Sequence, residues 1–149
     1  KGLWVILASH HASDRIGDGS GAGGLPRTDL VSARDWERLI TQNRNVIVDL
    51  VGHAHAHRVR VLGSGNAGTW EVQTAALADF PNQARLIEVW DEDDGYVSIR
   101  AAGIDYDARG SELVDTARTY SIVDYATGWS PAENTSAEDE NVILWLKKP

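Results

Sequence analysis

The residues best equipped for chemistry are three histidines spaced two apart in Val51-Gly52-His53-Ala54-His55-Ala56-His57, three of the five in the chain. Neutral imidazole is the commonest metal ligand among side chains, and alternate residues of an extended segment point the same way. His53 and His55 therefore suit one metal ion or two adjacent ones, or a bound phosphate. His57 extends the row but could equally begin the next strand. The other two histidines are adjacent, in Ser9-His10-His11-Ala12-Ser13-Asp14.

Each cluster follows an apolar run that reads as a buried strand, Leu3 to Ala8 and Asn45 to Val51. Loops at strand ends are where α/β sheets collect their chemistry. Between the two runs, Ser32 is a helix N-cap with Asp35 three residues on, in capping-box fashion. Trp36, Leu39 and Ile40 then give one apolar helical face, which predicts a helix from Ala33 to Gln42. Strand, histidine loop, helix, strand, histidine loop is an α/β order whose helix makes a parallel crossover. Parallel strands would bring both clusters out on one edge.

Beyond the histidines, 58–62 alternates as a strand, 63–66 is a turn and 69–74 is another strand. Residues 75–79 read as a short loop before Pro81. Segments 84–90 and 96–102 flank Asp91-Glu92-Asp93-Asp94-Gly95, a hairpin tip; its acids lack the spacing of an EF-hand calcium loop. Ser111 predicts a capped helix running to about Tyr125, with Leu113, Val114, Ala117 and Tyr120 on one side. A polar, turn-rich stretch from Gly128 to Asn141 leads to a last strand, 142–146. The glycines of 17–24 lack the Gly-Lys-Ser/Thr of a phosphate loop and read as a flexible surface loop bordering the site. With no internal repeat and no clear linker, residues 1–149 form a single domain of the α/β class, in its α+β sandwich form.

A chain of 149 residues with 42% hydrophobic residues and six Trp can bury a core. Its net charge of −8 argues against general binding to nucleic acid or to an anionic membrane. The charge is uneven: residues 1–60 carry eight Lys/Arg against six Asp/Glu, and 61–149 carry six against sixteen. The histidine-bearing part is thus the less repulsive one for an anionic substrate. Without cysteine there is no disulfide, thiolate zinc site or cysteine nucleophile. No run reaches the ~18 apolar residues of a membrane span, and nothing specifies a compartment. The absence of Met and the opening Lys-Gly read as an expression boundary, a processed product or the back part of a longer chain.

This order of motifs resembles the C-terminal half of the calcineurin-like metallophosphoesterases, in their bacterial branches. In that family a strand ends in a metal-binding His, often within Ser-His-His-Pro. A helix follows, then a strand ending in Gly-His-x-His, then strands that close the second sheet of a ββ-sandwich flanked by helices. The matching pieces are Val5 to His11 and Val48 to His55, followed by Thr69 to Ala75 and Gln83 to Val89. The likeness covers residues 3–104, with Asn141 to Trp145 as an extension. It implies that His10 and His53 hold one metal ion and His55 the other. His11 and His57 are the candidates to touch substrate. It further implies phosphomono- or phosphodiester hydrolysis at a dinuclear centre of Mn, Fe or Zn type.

Two departures matter unequally. Ala12 stands where Pro is common, which changes little. The family's Asp-x-His, metal-bridging Gly-Asp and Gly-Asn-His are missing, and Gly17-Asp18 lies in the wrong order and context. Neutral histidines cannot offset two cations ~3.5–4 Å apart. The chain alone is therefore expected to be a poor catalyst that needs an upstream segment in cis or trans, unless Asp14, Asp29 or a neighbour's acid serves. The alternative is a non-catalytic metal-binding or assembly module that keeps the half-fold and forms a homo-oligomer through an open sheet edge. An amidohydrolase would need further His ligands after His57, and none exists. Arg58 and Val59 break the His-x-His-x-Asp-His of metallo-β-lactamase-like enzymes.

Overall fold

The computed structural model describes residues 2–16, 31–65, 68–107, 109–128 and 137–149. They build an α+β fold of two sheets and three helices. The first sheet holds β1 (Val5–Ala8), β2 (Val46–Val51), β3 (Arg58–Leu62) and β4 (Thr69–Gln73) in the order β1-β2-β4-β3. Its β1–β2 and β2–β4 pairs are parallel, and β3–β4 is antiparallel. The second sheet is antiparallel: β5 (Ala84–Asp91), β6 (Tyr96–Ile104) and β7 (Val142–Lys147) in sequence order. The predicted glycine loop at 17–24 lies outside the described residues. Among those residues, no helix is long and apolar enough to cross a membrane.

Helix α1 (Ala33–Gln42) has the predicted bounds, because its signals are local. Ser32 Oγ accepts the Asp35 backbone N–H at 3.1 Å and donates to the Asp35 carboxylate at 2.7 Å. From this start Trp36 and Ile40, one turn apart, meet Val5, Leu7, Val46 and Leu62 in a small core. Leu39 falls on the flank of that stripe and stays half exposed. By joining β1 to β2 across one face, α1 makes the crossover that parallel strands require.

The larger core lies between the sheets. Ile47, Val48 and Val72 of the first sheet meet Val97, Ile99, Ala101 and Leu144 of the second. Pairing shifts from Val5 with Val46 to Ile6 with Val48, so β2 spends an extra residue there. This bulge explains how two successive residues, Ile47 and Val48, both reach the same core. On β6 the apolar Val97, Ile99 and Ala101 alternate inward, while Ser98 between them is also fully buried.

At the β5–β6 tip the turn forms where Asp94-Gly95 predicts it, but the left-handed backbone angles fall at Asp93 and Gly95 rather than at Asp94. The Asp91 carboxylate pairs with Lys148, tying this tip to the end of the chain. Helix α2 (Glu112–Thr127) starts at the Ser111 cap and ends at left-handed Gly128, two residues later than predicted. Its predicted apolar side is not a covered side: Leu113 is 80% exposed and Tyr120 67%. Helix α3 (Ala137–Glu140) is a single turn inside the stretch read as irregular.

The inter-sheet core should dominate stability. Ile99→Ala, at a fully buried site, should lower the unfolding free energy by about 3 kcal/mol. Ile143→Ala, on the exposed face, should cost less than about 1 kcal/mol. Urea denaturation of both variants measures the contrast, and equal losses would place the core elsewhere.

Candidate metal centre

Two parallel strands bring the histidine loops together. Past the end of the β1–β2 pairing the backbones remain joined: Ser9 N–H donates to Leu50 O at 3.0 Å, and Gly52 N–H to His10 O at 3.1 Å. His10 Nε2 and His53 Nδ1 consequently lie 3.1 Å apart. The His11 ring centroid is 4.1 Å from that of His53 and 5.0 Å from that of His10. One ligand atom from each of His10, His11 and His53 lies within 4.8 Å of the other two, so this group could hold a metal ion. His11, read from the sequence as a substrate contact, is thus a member of the cluster itself. Ser9 Oγ fixes its main chain by donating to His11 O at 2.9 Å.

The Gly-His-x-His segment is not the extended strip that its period of two suggests. Strand β2 ends at Val51, and Ala54 N–H turns back to Gly52 O at 2.9 Å. His53 and His55 sit at φ of 68° and 55°, in the left-handed region that side chains other than glycine seldom occupy. The intervening Ala54 and Ala56 are buried. The bend separates the histidines, sending His53 to the cluster and His55 to a different partner.

That partner is Asp79, whose Oδ2 lies 2.6 Å from His55 Nδ1. With Nδ1–H donated to the carboxylate, Nε2 presents its lone pair outward, the arrangement that orients a metal-ligating histidine. Sequence reasoning missed Asp79. Residues 75–79 read as a short loop or turn, and no local signal marks a residue 24 positions from its partner.

His57 has a different place from the one expected. It is only 1% exposed, so a role in touching substrate does not suit it. Its Nε2 donates to Gln83 Oε1 at 3.2 Å, and its Nδ1 accepts the Ala75 N–H at 3.4 Å. Burial first, then the Arg85 guanidinium, lowers its pKa and favours the neutral ring. His57 ties the start of β3 to the segment after β4.

The loop bearing His10 and His11 is anchored by charge. It continues into a 3₁₀ turn, Ser13–Arg15. Buried Glu71 of β4 accepts the Ser13 backbone N–H at 2.7 Å and the Arg60 Nε–H at 2.9 Å. Arg60 also donates to Ser13 Oγ at 2.6 Å, and Asp14 accepts from Arg58 and Arg60 at 3.1 and 2.9 Å. Asp14 is therefore engaged by two guanidinium groups rather than offered as the acidic ligand the sequence had suggested. Asp29 lies outside the described residues.

Beside Glu71, in register on β2, is the fully buried Asp49. Burial pushes its pKa up to about 6 from an ordinary 3.8, the Trp36 indole N–H at 3.3 Å pulls it down, and Glu71 adds to the rise. The folded chain thus holds this proton where the unfolded chain has lost it. Stability should fall as pH rises from about 4 to about 6, with the whole penalty present above that. Two units of pKa correspond to about 3 kcal/mol. Asp49→Asn should therefore be more stable than the parent at pH 7.5 by about 3 kcal/mol, and the gain should shrink toward pH 4. Urea denaturation at the two pH values measures this; a gain independent of pH would refute it.

No protein-family model matches the chain, and no curated protein matches its sequence.

Proposed function

We propose that this chain supplies the histidine-rich half of a metal-dependent phosphoesterase, acting on phosphomono- or phosphodiesters at a dinuclear centre. The observation that carries this reading is the convergence of two parallel strand ends, with His10 and His53 ring nitrogens 3.1 Å apart and His11 beside them. Three imidazole donors suit a transition metal of Zn, Fe or Mn type, and not the all-oxygen sites of calcium or magnesium. His10, His11 and His53 would hold one ion, and His55, backed by Asp79, would serve a second. Such ions, when bound, lower the pKa of a water and polarise phosphoryl oxygens.

The chain's own part is to hold and orient. Asp79 keeps His55 in one tautomer, and Glu71 with Arg60 holds the turn behind His11. What these residues lack is negative charge to spare. Arg58 and Arg60 hold Asp14, Arg60 and Ser13 hold Glu71, and Asp79 faces His55. Acidic ligands from a further segment, in cis or trans, complete the centre in this reading.

Calorimetric titration with zinc or manganese should give one tight equivalent per chain. His53→Ala should abolish it, and Asp79→Asn should weaken any second, looser site by about 10–100-fold. Slow hydrolysis of bis(p-nitrophenyl) phosphate, lost in His53→Ala and His55→Ala, supports an enzyme. Tight metal binding with no hydrolysis even after addition of carboxylate-bearing partner chains would favour a binding module, and no metal binding would end the proposal.

A further inference from the structure

Helix α2 carries apolar side chains round most of its circumference and leaves Leu113, Tyr120, Ile122 and Val123 exposed. An apolar surface of this kind marks a place where something binds. Its first turns line an open cavity of about 380 Å³ together with Leu77, Asn82 and Tyr106, with Leu113, Val114, Ala117 and Arg118 on the helix side. That is within the ~300–1,000 Å³ range of small-molecule sites.

The cavity and the histidine site share one turn of the chain: Asn82, which lines the cavity, is bonded to Asp79, the partner of His55. Asn82 N–H donates to Asp79 O at 2.6 Å, and its side-chain amide donates to Leu77 O and Ser121 Oγ, both at 3.1 Å. Phe80 stacks on Tyr125 with ring centroids 4.5 Å apart. The turn that holds His55 through Asp79 is therefore the same one that holds α2. Leu77 is two residues from Asp79, at most about 7 Å along the backbone. The cavity's one cation is already matched: Arg118 pairs with Asp105 at 2.9 Å and lies 5.1 Å from the Tyr106 ring centre. Nothing in the lining asks for a charged ligand.

We propose that this cavity receives an uncharged apolar group, an alkyl chain or aryl ring, esterified to the phosphate that the histidine face binds. The assignment rests on the phosphoesterase reading and adds the other half of the substrate to it.

The test titrates the zinc-loaded full chain with inorganic phosphate, 1-naphthyl phosphate and 1-naphthol, followed by backbone amide NMR shifts. Naphthyl phosphate should bind about tenfold or more tightly than inorganic phosphate. It should move the amides of Leu77, Leu113 and Ala117, which phosphate leaves in place. Ala117→Trp, filling the cavity from an exposed helix position, should erase the tenfold advantage without altering phosphate binding. Leu113→Asp, at a side chain already in water, should do the same without risk to folding. Equal affinity for the two phosphates, indifference to both variants, or shifts spread equally to Tyr120, Ile122 and Val123 would overturn the assignment and leave the phosphoesterase reading standing. Naphthol moving the cavity amides while neither phosphate binds the histidines would instead overturn that reading, and the cavity's substrate role with it.

Discussion

Everything at the histidine edge depends on β1 and β2 running parallel and remaining hydrogen-bonded past their ends. Had they been antiparallel, His10 and His53 would have emerged on opposite edges of the sheet. The parallel arrangement comes from α1, a capped ten-residue helix that fits the crossover and seals one face with Trp36 and Ile40. The bonds from Ser9 to Leu50 and from Gly52 to His10 then set the spacing of two imidazoles on separate loops. Left-handed backbone at His53 and His55 costs of order 1–3 kcal/mol each, and persists only where the surroundings enforce it. Buried Ala54 and Ala56 on either side, with Ala56 O accepting from Gln73 Nε2 at 2.9 Å, provide that enforcement.

The same strands supply the polar anchors. One register row across the sheet runs Leu7, Asp49, Glu71, Arg60. Within it two carboxylates sit on adjacent strands, ~4.8 Å apart in the pairing direction, and the structure treats them differently. Glu71 meets a guanidinium and a backbone N–H, and through them holds the loop of His10 and His11. Asp49 meets an indole N–H, a weaker compensation for burial, and keeps its proton to higher pH. The neighbouring Glu71 carboxylate adds to the burial that raises the Asp49 pKa. The fold thereby uses a buried acid to position a histidine loop and tolerates its neighbour.

What the sequence disclosed was local, or followed from element order. Ser32 and Asp35 mark the start of α1 because the cap is a contact three residues long. The meeting of His10 with the His53 loop follows from strand, helix, strand, since that order restricts the sheet to parallel pairing. The bend at 53–55 was hidden, because no glycine occupies the positions of positive φ and alternation imitates a strand. Asp79 and the burial of His57 were hidden for another reason: both depend on where the chain returns after β4, which brings Asp79, Ala75 and Gln83 to histidines more than fifteen residues earlier. On α2 the cap at Ser111 was legible, but whether Leu113 has a neighbour is decided by tertiary packing, and periodicity carries no record of it.

The chemistry open to this edge follows from the same distribution of charge. Four histidines reach the surface of the site and add no charge while neutral. The nearest described acids, Asp14, Glu71 and Asp79, are each engaged by a guanidinium, a backbone amide or an imidazole. A cation seated there would leave the site with net positive charge, and the site would then attract anions. Residues 1–60 are the part of the chain where Lys and Arg outnumber Asp and Glu, eight to six, while the rest carries six against sixteen. The sequence half that carries the histidines is therefore the less repulsive one for an anionic ester. In the proposed reading, a phosphoester would place its charge at the histidines, where a bound cation leaves positive charge over, and its uncharged group at the cavity beside α2, whose one cation is already paired.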